Sequence, residues 1–126
     1  MIESKLYDRY KIISLISDRF DIHNPYEKTN KPPYPMCRAF IYYFLRKINV
    51  DRYSYPLLGR MFGKHHTTVM FGVAKIEQYV NNDPNYKHMA IEICEVLRDN
   101  ESISQFIYQR IAKELEAIPE KELVYL

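Results

Sequence analysis

An all-α fold is predicted for this chain of 126 residues. Apolar residues recur at spacings of three and four through most of its length, the period of helices that bury one face. The segments with that period are separated by clusters of Pro, Asn and Asp, which stop helices. Nothing reads as a strand, and no internal repeat is present. With 47% hydrophobic and 27% charged residues the composition is that of an ordinary globular domain, long enough to bury a core unaided.

About six helices follow in order. Leu6, Tyr10, Ile13, Ile16 and Phe20 make one apolar face on a helix of about residues 3–20. From His23 to Pro35 the period stops, because Pro25, Pro32, Pro33 and Pro35 do not continue a helix; a stiff loop carrying Lys28 and Lys31 is expected. Residues 36–48 regain helical spacing through Phe40, Ile41, Phe44, Leu45 and Ile48, leaving Arg38, Arg46 and Lys47 on an exposed side. Ser54 followed by Pro56 opens a short helix, since the hydroxyl can accept free N–H groups of the first turn and proline needs none there. Gly63 ends it in a turn. A longer helix runs from His65 or His66 to about Val80, its row of Val69, Val73, Ile76 and Val80 turned inward and Lys64, Thr67, Phe71, Lys75 and Gln78 outward. Helices over about 85–98 and 103–118 complete the chain, joined by the acidic linker Asp99-Asn100-Glu101-Ser102.

Charge is distributed unevenly. Residues 23–64 hold eight basic side chains against Glu27 and Asp51, whereas residues 81–126 hold five basic and nine acidic ones, although the net charge is only +2. Association with a polyanion is steered by the local field, so the middle of the chain is where one would meet it; the plain alternative is that the blocks merely solvate the surface. No apolar run approaches the roughly 18 residues that span a bilayer, and the N-terminus lacks a signal peptide's apolar stretch, so a cytoplasmic protein without a membrane partner is expected. Cys37 and Cys94 lie within apolar helical patterns and are expected as buried free thiols.

A short helix, a glycine turn and a longer helix make the sequence form of a helix-turn-helix. Many helical proteins contain such a pair for packing alone. Here the turn and the first helical residues are Lys64, His65, His66, Thr67 and Thr68, all hydrogen-bonding groups, where a recognition helix presents its leading end to base edges. The free N–H groups and positive dipole end at that point also suit phosphate.

The stretch Leu58-Gly59-Arg60-Met61-Phe62-Gly63-Lys64-His65-His66-Thr67-Thr68-Val69, continued by Ala74-Lys75-Ile76-Glu77, resembles the C-terminal DNA-binding domain of the bacterial replication initiator DnaA. The likeness extends from about Ile12 to Leu97, with Arg38, Tyr43 and the Arg46-Lys47 pair similar to the family's preceding helix. It implies a Trp-repressor-like bundle binding double-stranded DNA in replication initiation or its regulation, or in transcriptional control. By resemblance Lys64, His65, His66, Thr67 and Thr68 would read bases and Pro56 would pack against the DNA. Lys28, Lys31, Arg38, Arg46, Lys47, Arg52 and Arg60 would hold phosphates. Residues 1–99 would form the DNA-binding domain, and 100–126 a helical extension that packs on it or oligomerises. Two departures stand out. His65 replaces the family's Asp, removing a good helix cap and an acceptor for cytosine, and the 23–35 loop is richer in proline and poorer in arginine. The family's ATPase is missing, and Gly63-Lys64 lacks a phosphate loop's other residues, so neither nucleotide binding nor ATP-driven origin opening is expected of this chain alone.

Other chemistries find little support. Adjacent His65 and His66 point about 100° apart on a helix, with no further ligand at i+4, so no metal is expected. No nucleophile-base arrangement, carboxylate pair or glycine-rich loop suggests an enzyme or a cofactor. The tyrosines at 42, 43, 53 and 55 could stack on single-stranded bases, but are expected instead as half-buried residues with wet hydroxyls. The main competing reading is an interaction module of a replication or regulatory complex, a DnaA-like domain using the acidic last helix or the whole surface to bind another replication or regulatory protein; alongside DNA binding, the helix at 103–118 could also pair with a second copy and the apolar Leu123-Val124-Tyr125-Leu126 could dock.

Overall fold

A computed structural model describes residues 9–100 and 105–119. Among them are six helices and no strand: α1 (Arg9–Arg19), α2 (Tyr34–Ile48), α3 (Tyr55–Phe62), α4 (His66–Asn82), α5 (Pro84–Asn100) and α6 (Gln105–Glu116). The first turns expected at 3–8, the second half of the acidic linker at 101–102 and the apolar end at 123–126 lie outside the described residues, while Asp99 and Asn100 continue α5.

Helix α2 is the centre of the bundle. Every residue from Cys37 to Leu45 is buried, and α1, α4 and α6 all pack against it. A helix apolar on nearly all sides is a buried one, and here Ala39, Tyr42 and Tyr43 close the ring around Phe40, Ile41 and Phe44. Tyr42, Tyr43 and Tyr53 are therefore core residues, not the half-buried, wet side chains expected. Burial pushes the Tyr42 hydroxyl up to about 12, and its oxygen is buried without a hydrogen-bond partner among the described residues. The helix starts two residues earlier than its period suggests. Tyr34 and Pro35 form its first turn, where proline's missing N–H costs nothing.

Around α2 the remaining helices bury narrower faces. On α1 the core side is Ile12, Ile13 and Ile16, so the stripe is rotated relative to the one expected and Tyr10 stands 66% exposed. The helix ends with Asp21 in the left-handed region, φ 57°, and Ile22 bonded back to the Ser17 carbonyl, which lays the Ile22 side chain on the core. On α4 the buried row is Val69, Val73, Ile76 and Val80, as its spacing predicts. The helix approaches α2 closely at Gly72, where a Cβ would lie 3.4 Å from the Tyr42 ring and 3.5 Å from the Ala39 Cβ.

Helix α6 joins the same core. Tyr108, Ile111 and Leu115 are buried with Ile93, Cys94 and Leu97 of α5, and Lys87 of α5 donates from Nζ to the Ile118 carbonyl at 2.9 Å, tying down the end of the chain's last described turn. The described part of the extension thus packs on the domain, and its apolar face is occupied. Both cysteines are free and buried, and burial lifts each thiol to about 11. No helix among the described residues is long and apolar enough to cross a membrane.

Candidate nucleic-acid interface

Local chemistry builds the α3–turn–α4 unit. The Ser54 hydroxyl accepts from the Leu57 N–H at 3.2 Å, capping α3, and Pro56 sits exposed in its first turn. Gly63 adopts φ 64° and ψ 36° and turns the chain left-handed at little steric cost. The Lys64 N–H then donates to the Gly59 carbonyl at 2.8 Å. The turn folds back so tightly that a Cβ on Gly59 would stand 2.5 Å from the Lys64 carbonyl oxygen. Gly59 is therefore where α3 admits the turn, a role that its spacing from Gly63 hints at and that helix periodicity does not reveal.

His65 does not cost α4 its cap; it is the cap. With φ −69° and ψ 148° it stands just outside the helix, and its Nδ1 accepts from the Thr67 N–H at 3.2 Å. The Thr67 hydroxyl oxygen lies 2.8 Å from the same nitrogen. An accepting Nδ1 places the proton of the neutral ring on Nε2, on an exposed side chain. The expectation that losing the family's Asp removes the cap is corrected: imidazole does the capping, although it supplies no acceptor for cytosine. The His65 and His66 rings lie 4.2 Å apart between centroids, and with Thr68 they are exposed; Lys64 and Thr67 are half-buried.

The loop over 22–33 is drawn onto this unit. Arg38, expected as an exposed phosphate ligand, is only 4% exposed. Its guanidinium donates to the Glu27 carbonyl at 3.1 Å and to the Thr29 carbonyl at 2.9 Å, so it holds the loop from beneath. Arg38 does lie off the main apolar row of α2; what covers it is the loop, which has no period to read. Tyr26 stacks on Phe62 at 4.8 Å between centroids, a pairing that no sequence signal announces. The result brings Lys28 beside the turn, its Cε 3.9 Å from where a Cβ on Gly63 would be. Lys28 and Lys31 are both exposed. A groove of about 250 Å³ runs between the start of α2 and α4, with Lys64, Thr68, Phe71 and Lys75 along it and Ala39 and Tyr42 in its lining.

The remaining basic candidates are not gathered there. Arg46 stacks over Tyr55 at 3.9 Å and donates to the Tyr53 carbonyl at 2.8 Å. Lys47 pairs with Glu114 of α6 at 3.6 Å, and Arg110 donates to the Lys47 carbonyl at 2.8 Å. These groups border a second cleft with Asp51 and Glu77, roughly 15 Å along α4 from Thr67 at 1.5 Å per residue. Arg46 and Lys47, expected on an exposed phosphate-binding side, are half-buried and engaged by the fold. Arg52 is exposed in the loop after α2, its backbone N–H donating to the Asn49 side-chain oxygen. Arg60 is exposed on α3. Lys28, Lys31, Arg60 and Lys64 form no ion pair among the described residues.

Among the described residues no three His, Cys, Asp or Glu side chains converge as a metal site requires. The chain matches no protein-family model, no curated protein and no solved structure. The α4 tip, capped by His65, exposes His65, His66 and Thr68, with Lys64 and Thr67 half-buried beside them and the exposed Lys28 of the loop next to the turn.

Proposed function

We propose that the chain binds double-stranded DNA with a sequence preference, α3 and α4 acting as a helix-turn-helix. One observation carries this reading: the capped tip of α4 presents Lys64, His65, His66, Thr67 and Thr68 on one end of the molecule, with Lys28 held against the same turn. In this reading the tip enters the major groove, where Thr68, His66 and the Nε2–H of His65 meet base edges. Lys28, Lys31, Arg60 and Lys64 meet phosphates on either side. In this reading the chain acts as a domain of the DnaA C-terminal type, with Trp-repressor-like helices, serving replication initiation, its regulation or transcriptional control. Arg38 acts indirectly, by holding the loop that carries Lys28 and Lys31.

Selection of bound duplexes from a random pool tests the proposal. A motif should be enriched, and log affinity for the selected duplex should fall with log salt by about 0.9 per phosphate contact, a total slope of roughly −3 to −4 for four lysine and arginine contacts. No enrichment together with a flat salt dependence overturns it. The competing reading, an interaction module using the acidic last helix or the whole surface, would have to use the charged side of α6, since its apolar residues Tyr108, Ile111 and Leu115 are in the core.

A further inference from the structure

Phe71 is 70% exposed, the most exposed of the large apolar side chains described. At about 100° per residue it points opposite the buried row of α4. Its neighbours on that outward side are Thr67, Thr68, Ala74, Lys75 and Gln78, with no carboxylate among them; Glu77 faces the cleft that Lys47 and Glu114 border. Met70 stands on the flank, 39% exposed, and Phe71 lines the same groove as Pro35, Met36, Ala39 and Tyr42, together with Lys64, Thr68 and Lys75. Thymine is the base that presents a methyl group in the major groove, and apolar side chains are what contact it. Phe71 stands one helical turn beyond Thr67 and Thr68, on the groove that Lys64 and Lys75 border.

We propose that Phe71 is a specificity-determining residue, its ring packing on the C5 methyl of a thymine one turn inward from the bases met by the α4 tip. The inference rests on the duplex-binding reading above. It assigns the bound sequence a required thymine, and it makes α4 a reader along its outward face and not at its tip alone.

The probe is a duplex selected by the intact chain from a random pool, alongside copies in which each thymine in turn is replaced by deoxyuridine, which lacks only the methyl. One position should weaken binding by roughly three- to fivefold, the worth of one buried methyl. Phe71→Ala should weaken the parent duplex by roughly tenfold, because the apolar surface that covered the methyl is gone, and become indifferent to that same substitution; Phe71→Leu should retain part of the preference. If the chain selects a motif and every deoxyuridine copy binds like the parent, or if Phe71→Ala stays as sensitive as the unmodified chain, the role of Phe71 is overturned while duplex recognition stands. If Phe71→Ala instead dissociates a dimer and leaves the methyl preference intact, the ring belongs to an interface between copies and the inference fails. Failure to select any motif removes the duplex-binding reading and this inference together.

Discussion

The two ends of α2 carry similar charge and use it in opposite ways. At the C-terminal end, Arg46 is spent on Tyr55 and the Tyr53 carbonyl, and Lys47 on Glu114. At the N-terminal end a single buried cation, Arg38, satisfies the loop's carbonyls and leaves Lys28 and Lys31 exposed beside the α4 tip. A count of basic residues along 23–64 treats these as one patch. Physically they are different: a cation with a carboxylate or carbonyl within reach stabilises the fold, and only a cation without one is ready for a phosphate.

The largest effect is expected at Arg38, on which the difference between the two ends turns. Arg38→Ala removes two charge-assisted hydrogen bonds and should lower unfolding free energy by about 2–4 kcal/mol in chemical denaturation, with the 22–33 loop losing protection from hydrogen exchange. Next comes Gly59→Ala, whose methyl meets the Lys64 carbonyl; overpacking of this kind should cost about 1–3 kcal/mol, and duplex affinity should fall with it because the turn is displaced. Replacing Lys28 and Lys64 together by Ala should leave the denaturation midpoint almost unchanged, yet flatten the salt dependence of duplex binding by about 1.8, or 0.9 for each phosphate no longer held. Arg46→Ala tests the other end: stability should drop by about 1–2 kcal/mol without the carbonyl bond and ring stacking, while the salt slope stays where it was. The smallest effect is expected for Lys47→Ala. Its ion pair with Glu114 is largely solvent-facing and is worth about 0.2–1 kcal/mol, and a change in duplex affinity there would show that the C-terminal end also meets DNA.

Elements that depend on near neighbours are legible in the chain itself. The Ser54 cap, the proline after it, the left-handed Gly63 and the inward row of α4 each follow from interactions within four residues, and the structure has all of them. The α4 tip is legible for the same reason. His65 shows where residue-by-residue matching misleads. Set against the DnaA-like pattern the position suggests a missing cap, but an imidazole nitrogen reaches the Thr67 N–H from there. The 22–33 loop is not legible. It has no hydrophobic period, and its conformation depends on Arg38 beneath it and on Tyr26 stacked against Phe62.

An all-helical chain, the position and caps of α3 and α4, and the apolar side of α4 all follow from the order of residues, because helix formation, capping and turns are governed by groups a few positions apart. Packing settled the rest: which cations are available, that α2 is enclosed nearly all round, and that Gly59 must yield its side-chain space to the turn. Most of those properties belong to pairs far apart in the chain, such as Lys47 with Glu114 and Lys28 with Gly63. A one-dimensional pattern carries no measure of the distance between them.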